Sequence, residues 1–169
     1  PVGILNDTVK SKALSPTATD STAPSHGIDG AWVADPAYKM ISSTSGTTTT
    51  TKVAASRMNV YGGMRMGGGS YYGLDVLDPK KPKLLFRINS SSTNFSDMGQ
   101  SWSKPVLANV RYGGVIKRVM IIGGGYDQCY ENPDFKLGAS GLTYPTGCNS
   151  KTVAKGNAVY IVDASNGDL

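Results

Sequence analysis

The sequence is organised around a glycine-rich corner that occurs twice between short apolar segments. The first copy is Val60–Val76 (VYGGMRMGGGSYYGLDV), where a strand, a run of glycines and a second strand ending in aspartate follow one another. The second copy is split by an insertion, with Val119–Gly125 (VMIIGGG) before it and Gly156–Ala164 (GNAVYIVDA) after it. Strands alternate side chains between two faces and end where Gly, Asp or Pro bends the backbone. The repetition therefore predicts two consecutive units of one β architecture.

The first unit contains four predicted strands. The first lies in His26–Tyr38 (HGIDGAWVADPAY) and ends at Pro36, because proline cannot donate to a strand ladder. The corner contributes the second and third strands, and Lys83–Ile88 (KLLFRI) is the fourth. Residues 42–51 (SSTSGTTTTT) are polar and of low complexity, so we expect a mobile loop that adds nothing to a core.

The second unit repeats this order with different loop lengths. Trp102–Val110 matches the first strand at an offset of 74 residues, Lys117–Gly125 the second at 61, and Val159–Asp163 the third at 88. The unequal offsets follow from the Thr-rich insertion in the first unit and a cysteine-bracketed insertion in the second. A fourth strand is expected to start at Asp168-Leu169.

Four strands per repeated unit is the pattern of β-propeller blades. We predict an all-β fold of about two four-stranded blades, with 1–25 as a linker or a loop from a preceding unit. Residues 26–88 form the first blade with the Thr-rich loop 42–51. Residues 89–169 form the second with the loop 129–148, truncated at its last strand. Propellers use about 4–8 blades, so the remainder of the ring is expected outside this sequence.

The charges argue against nucleic acid as a partner. The net charge is only +5, and Lys and Arg are scattered, without the basic patch that such a role needs. No apolar run approaches the roughly 20 residues of a membrane-spanning helix, and no signal peptide opens the sequence. We therefore predict neither nucleic-acid binding nor a direct membrane span.

Cys129 and Cys148 are the only cysteines, and they bracket an irregular loop. An even count around a loop with no core of its own predicts a disulfide and an oxidising compartment. Two free thiols in a cytosolic protein are the alternative. Zinc is not predicted, because the thiols lack nearby partners and His26 is the only histidine.

Other polar residues are assigned to structure rather than to catalysis. Asp75 and Asp163 each end a strand, and Gly167 follows the second, so we predict structural turns there. The glycine corners match no dinucleotide or Walker fingerprint. Nothing around Ser25 or Ser101 resembles a nucleophile elbow. We predict no catalytic residue, no metal ligand and no enzyme.

The ordered series of motifs resembles a known family. The stretch VYGGMRMGGGSYYGLDVLDPKKPKLLFRI, followed by MGQSWSKPVLANV, VMIIGGGYD and GNAVYIVDASNGDL, is similar to the C-terminal domain of the PilC/PilY proteins. The resemblance covers about residues 26–169. It implies a portion of a modified, quinoprotein-like β-propeller, belonging to adhesins and assembly factors at the tip of bacterial type IV pili.

The resemblance also implies where and with what the protein works. It implies export to the periplasm, cell surface and pilus tip (fimbrium) of a Gram-negative bacterium, and contact with minor pilins and a host-cell or surface receptor. The implied roles are pilus biogenesis, twitching motility, adhesion and virulence. Family members carry a regulatory calcium loop, which is expected downstream of the segment matching Asp163–Leu169, so no calcium ligand is carried over and no cofactor is expected within this sequence.

Adhesive contacts are expected in the exposed loops 42–51 and 129–148, because loops on a rigid scaffold carry binding. The acidic cluster of Asp127, Glu131 and Asp134 lies in the cysteine loop but lacks the alternation of a calcium loop. The candidate adhesive residues all lie in that loop: Tyr130, Glu131, Asp134, Phe135 and Tyr144.

Two alternative functions share the same residues. A quinoprotein-like dehydrogenase propeller binding pyrroloquinoline quinone would also contain the GNAVYIVDASNGDL repeat. A glycan-binding propeller would use exposed aromatic side chains, for which the candidates are Tyr71, Tyr72, Trp102 and Tyr126.

Overall fold

The chain forms two antiparallel β-sheets. The computed structural model describes residues 27–143, 145 and 147–169, and those residues contain seven strands, two 3₁₀ turns and no α-helix. The strands are β1 (Trp32–Ser45), β2 (Thr48–Gly63), β3 (Tyr71–Asp75), β4 (Lys83–Ile88), β5 (Val106–Tyr112), β6 (Val115–Gly123) and β7 (Val159–Asp163).

Each sheet is an up-and-down meander. The first sheet has the order β1-β2-β3-β4 and the second the order β5-β6-β7, with every neighbouring pair antiparallel. This is the strand order of propeller blades, four strands in the first and three in the second. The predicted fold class, an all-β fold of consecutive antiparallel sheets, is confirmed. His26, the first residue of the predicted first blade, and the predicted linker 1–25 lie outside the described residues.

Two local predictions about the first sheet are wrong. Strand β1 does not end at Pro36 but continues to Ser45, and residues 42–51 form a hairpin rather than a loop. Proline is tolerated at position 36 because β1 is an edge strand, where no ladder hydrogen bond is lost. The hairpin forms because threonine favours extended backbone, and cross-strand pairs such as Ser42 with Thr51 join their hydroxyls at 3.1 Å. As expected, this segment is exposed throughout and adds nothing to the core.

The main core lies between the two sheets. Tyr61 and Tyr71 from the first sheet meet Met120 and Val162 from the second, and all four are almost fully buried. Phe95, from the segment that joins the sheets, packs on Tyr160 with ring centroids 5.0 Å apart. The remaining buried members of this cluster are Phe86, Ile88, Met98, Ile122 and Ala164.

The ladder register corrects the predicted alignment of the two units. Asp75 pairs with Asn59, whereas Asp163 pairs with Val119. If the two aspartates are equivalent, the second-strand offset is 60 residues rather than 61, and the same reasoning gives 73 rather than 74 for the first strand. A shift of one residue moves a side chain to the opposite face of its sheet.

The corrected register explains how the sheets pack. The inward-facing Tyr61 now corresponds to Ile121, and Gly73 to Ile161, which is half exposed on the outer face of the second sheet. Residues at equivalent ladder positions therefore face the core in the first sheet and the outer side in the second. The two sheets contact each other through opposite faces. Two sheets related in this head-to-tail way pack as neighbouring blades do.

Glycines allow the segment that joins the two sheets to approach its neighbours closely. A Cβ atom on Gly63 would clash with the carbonyl oxygen of Ser101, and one on Gly99 would clash with that of Tyr126. The Ser101 hydroxyl accepts a hydrogen bond from Met64 N–H at 2.7 Å and lies 2.9 Å from the Gly68 carbonyl oxygen. Close backbone approach is thus the physical reason for glycine at these positions.

Candidate functional site

The cysteine loop is the largest irregular segment that the structure describes. Cys129 and Cys148 form a disulfide with their Cα atoms 5.5 Å apart, as the sequence predicts. With Phe135 they make a small core of their own, against which the partly buried Leu142 packs. The loop is therefore a folded unit attached to the end of β6, separate from the core between the sheets.

Asp127 anchors this loop to the sheet. Its side chain is almost fully buried, and Oδ1 accepts a hydrogen bond from Cys129 N–H at 3.1 Å. Oδ2 accepts from Lys155 N–H at 2.8 Å and from Lys151 Nζ at 2.6 Å. One carboxylate thus fixes both ends of the segment that contains the disulfide.

The environment of Asp127 favours its ionised form. Burial alone would raise the pKa of this carboxyl. The hydrogen bonds from Lys151, Lys155 N–H and Cys129 N–H outweigh burial, and the pKa lies below its ordinary value. The negative charge is compensated by the Lys151 ammonium, which is itself mostly buried.

The predicted acidic cluster does not converge on one point. Asp127 points inward to its own donors, whereas Asp134 is exposed and its N–H donates to the Asn132 side chain at 2.9 Å. Glu131 lies at the end of the 3₁₀ turn Gln128–Glu131. Across residues 27–143, 145 and 147–169, no three His, Cys, Asp or Glu side chains are grouped closely enough to hold a metal ion.

The candidate adhesive residues divide into exposed and buried groups. Tyr130 is 51% exposed and Asp134 is also at the surface. Phe135 is buried against the disulfide and meets the Tyr130 ring edge-on with centroids 5.0 Å apart, so its ring is not presented at the surface. Tyr144 lies outside the described residues. The surface available for contact is centred on Tyr130.

An open depression separates the loop from the segment that joins the two sheets. It has a volume of about 380 Å³, and its walls include Gln100, Tyr126, Gln128 and Lys155. Asp127 and the disulfide also line it, and both are already engaged within the protein. The depression is open, and polar and charged side chains make up much of its lining.

The aromatic side chains considered for glycan binding do not form one platform. Tyr71 is fully buried, and its hydroxyl lies 3.0 Å from the Ser103 hydroxyl. Burial raises the pKa of Tyr71 above its ordinary value. Trp102 is 39% exposed, but the Arg65 guanidinium lies 4.7 Å from its ring centroid and Tyr126 packs against it at 5.5 Å.

The two strand-ending aspartates lie in hydrogen-bonded turns. Asp75 Oδ1 accepts from Leu77 N–H, and Asp163 Oδ1 accepts from Ser165 N–H, both at 2.9 Å. The side-chain and backbone hydrogen bonds from Ser165 lower the pKa of Asp163 below its ordinary value. Gly167 has a φ of +80° and donates its N–H to the Asp163 carbonyl. Such turns order the backbone where the two strands end.

A buried ion-pair group between the sheets was not predicted. Asp35 of β1 is 4% exposed, and its Oδ1 accepts a hydrogen bond from Arg118 Nη2 of β6 at 2.7 Å. Its Oδ2 lies 3.0 Å from Arg57 Nη2 of β2. These residues are far apart in sequence, and no local pattern indicates that they meet. The only sequence signal is the inward position of Asp35 on β1, since a buried carboxylate needs a basic partner.

Comparison with known proteins places these features in context. No family model matches the chain. It is 32% identical over 122 residues to the type IV pilus biogenesis factor PilY1 of Pseudomonas aeruginosa, in strains PAO1 and PAK alike. That alignment covers 64% of this chain and 10% of the relative, so the chain corresponds to about a tenth of the curated relatives' length.

A solved structure gives a further comparison. The crystal structure of the Pseudomonas aeruginosa PilY1 C-terminal domain aligns with 79% of this chain and 20% of its own length, at 22% identity and a TM-score of 0.44. Within the residues described, no helix is long and apolar enough to cross a membrane. In sequence, the chain is therefore similar to a short part of PilY1.

Proposed function

We propose that this chain is a non-enzymatic module of a type IV pilus-associated protein, supporting pilus assembly, twitching motility and adhesion. The observation that carries the proposal is the 32% identity to PilY1 over 122 residues. The chain spans about a tenth of that relative, so the activity of the whole protein is carried over only as part of this proposal.

The architecture supports a binding role for the cysteine loop. The loop is fixed to a two-sheet scaffold by the disulfide and by Asp127, yet it presents Tyr130 and Asp134 at the surface. A rigid loop loses little conformational entropy on binding, and tyrosine is a frequent anchor of interfaces. The proposed partners are minor pilins and a host-cell or surface receptor, at the tip of an exported pilus.

The decisive experiment uses the full-length protein in its own bacterium. Replacement of Tyr130 and Asp134 by serine should lower attachment to host cells several-fold while surface pili remain. Tyr112→Ser is the matched control, because Tyr112 is an exposed tyrosine at the end of β5 in the second sheet. Unchanged attachment in the loop variant would count against the adhesive role.

Pilus assembly is tested separately. Deletion of the segment equivalent to residues 27–169 from the full-length protein should reduce surface pili and twitching zones. If pili and motility are normal after that deletion while the protein is exported at ordinary levels, the assembly role is wrong.

A further inference from the structure

The hairpin formed by residues 38–57 extends away from the first sheet as a two-stranded arm. Strand β3 pairs with β2 only along Asn59–Gly63. One further hydrogen bond follows, in which the Val76 N–H donates to the Met58 carbonyl at 2.8 Å. Beyond that point, no described residue pairs with the second edge of β2. Two-stranded hairpins alone are marginally stable in water, and three or more strands are needed for independent stability.

The backbone of this edge is available for hydrogen bonding. The arm closes through the two-residue turn Gly46-Thr47, so Ser45 and Thr48 exchange ladder hydrogen bonds. Pairs along an antiparallel ladder alternate between hydrogen-bonded and non-hydrogen-bonded positions, so Met40 and Val53 form a non-hydrogen-bonded pair. The Val53 N–H and C=O therefore point to the free edge of β2.

The two edges of the arm differ at its base, where the strands leave the first sheet. The β1 edge carries Pro36 at its base, a residue that blocks strand addition. Thr48–Ala55 on β2 contains no proline and is rich in threonine, with Val53 near its middle. Such β-branched residues favour the extended backbone of a sheet. The β2 edge is thus suited to receive another strand in line with β3.

The side chains of the arm indicate the chemistry of that strand. On one face, Tyr38, Met40 and Val53 are 63%, 76% and 69% exposed. On the other face lie Lys39 and Lys52, with the exposed Ile41 opposite Lys52, and residues 38–57 contain no Asp or Glu. An added strand with apolar side chains on one face and acidic side chains on the other would complement both surfaces.

A second copy of the arm fits this edge less well. Pairing two arms edge to edge would bring the lysines of both copies together, with no acidic residue in either arm to compensate them. Like charges facing each other across a ladder are destabilising. The charge pattern favours a different, acidic partner.

We propose that Thr49–Ala55 of β2 is a docking edge for an extended segment of a partner protein in which apolar residues alternate with Asp or Glu. The segment adds to the first sheet as a strand beside β2. Its apolar side chains pack beside Val53 and Met40, and its carboxylates meet Lys52. This inference does not depend on the pilus assignment.

The test uses the 169-residue chain and a synthetic probe peptide of about eight residues, with valine and glutamate alternating and both ends blocked. Two control peptides replace the glutamates by lysine or every second valine by proline. The valine–glutamate peptide should bind at least about tenfold more tightly than either control, as measured by calorimetry. Failure of that peptide to bind at about 1 mM, or equal binding of the proline peptide, would overturn the proposal.

Variants of the chain locate the binding. Val53→Pro removes an edge N–H and no ladder hydrogen bond, and Lys52→Glu reverses the charge beside it; each should weaken binding by about tenfold or more. Ile116→Lys changes an exposed apolar residue of β6 and should leave the affinity unchanged. Equal loss of binding in all three variants would contradict the assigned edge.

Amide hydrogen exchange distinguishes an acidic partner segment from the other candidates for occupying the β2 edge. The Thr51 and Val53 amides should exchange rapidly in the free chain and slowly with the peptide bound. Slow exchange in the free monomer would show that the chain's own residues cover the edge. Protection that rises with protein concentration, together with dimers in sedimentation, would show a second copy there. Either result would overturn the assignment to an acidic partner.

Discussion

Asp35 and Arg118 join the two sheets through a hydrogen-bonded ion pair, with Oδ1 and Nη2 2.7 Å apart. The carboxylate is buried, and its second oxygen faces Arg57 of its own sheet at 3.0 Å. The two guanidinium groups are partly exposed, so the pair lies at the rim of the interface between the sheets. A buried carboxylate whose partners come from both sheets makes their relative position a determinant of stability.

Loss of the Arg118 side chain should therefore destabilise the chain. Arg118→Met removes the shorter ion pair while keeping most of the apolar stem, and we expect a loss of about 1–3 kcal/mol in the free energy of unfolding measured with urea. The Arg65–Asp29 pair is exposed on both sides, so Asp29→Asn is a suitable control that should cost less than about 1 kcal/mol. Equal effects of the two variants would argue against a special role for Asp35.

The Tyr61 hydroxyl makes a second connection between the sheets. It donates to the Ala164 carbonyl at 2.9 Å and accepts from Asn59 Nδ2 at 3.1 Å. Tyr61→Phe should cost about 1–2 kcal/mol, because two buried polar groups lose a partner while the ring still packs. Thermal or urea unfolding would measure this, with the exposed Tyr112→Phe as a control that should change little. A Tyr61→Phe variant with an unchanged free energy of unfolding would mean that a water molecule makes the hydrogen bonds of the missing hydroxyl.

The features of this fold that could be predicted from the sequence are those with a local pattern. Strands β3, β4 and β7 have the predicted bounds because each is a short apolar run between turn residues. The disulfide was also predictable, since the two cysteines bracket a loop with no other core. These features depend on residues close together in the chain.

Other features depend on contacts that the sequence does not display. The Thr-rich segment 42–51 looks like a loop by composition, yet every threonine except Thr47, which lies in the turn, pairs across the hairpin once the two halves fold together. Phe135 resembles a surface contact in a polar loop but fills the space beside the disulfide. With the two aspartates taken as equivalent, the predicted alignment is shifted by one residue in the first two strands, because Gly62 of the first corner corresponds to Ile122 and not to a glycine.

The close approach at the glycine corner predicts a large effect of a small substitution. Gly63→Ala would place a methyl group against the Ser101 carbonyl, a backbone atom that cannot move independently. We expect a loss of more than about 2 kcal/mol by chemical unfolding, because overpacking forces the backbone to shift. Gly27→Ala is the control, since nothing lies within 4 Å of a Cβ there. A Gly63→Ala protein as stable as the control would show that the corner is looser than this geometry indicates.

The disulfide should stabilise the loop without being needed for the sheets. Replacement of Cys129 and Cys148 by serine should lower the free energy of unfolding by about 3 kcal/mol in the chain-entropy account. Limited proteolysis should then cut within 130–147, while the amides of Met120 and Val162 in the core remain protected from exchange. Simultaneous loss of core protection would instead show that the loop and the sheets unfold as one unit.

The buried anchor of that loop should make its stability depend on pH. Because hydrogen bonds hold the pKa of Asp127 below its ordinary value, protonation favours the unfolded chain. The stabilisation is therefore complete above an unfolded pKa of about 4 and is lost as the pH falls through the lower folded pKa. Asp127→Asn should be less stable than the natural chain at pH 7 by about 1–3 kcal/mol, and this difference should shrink below pH of about 4. Urea unfolding from pH 7 to 3 measures both curves, with the exposed Asp134→Asn as control; a difference that stays constant over this range would show that the charge of Asp127 does not anchor the loop.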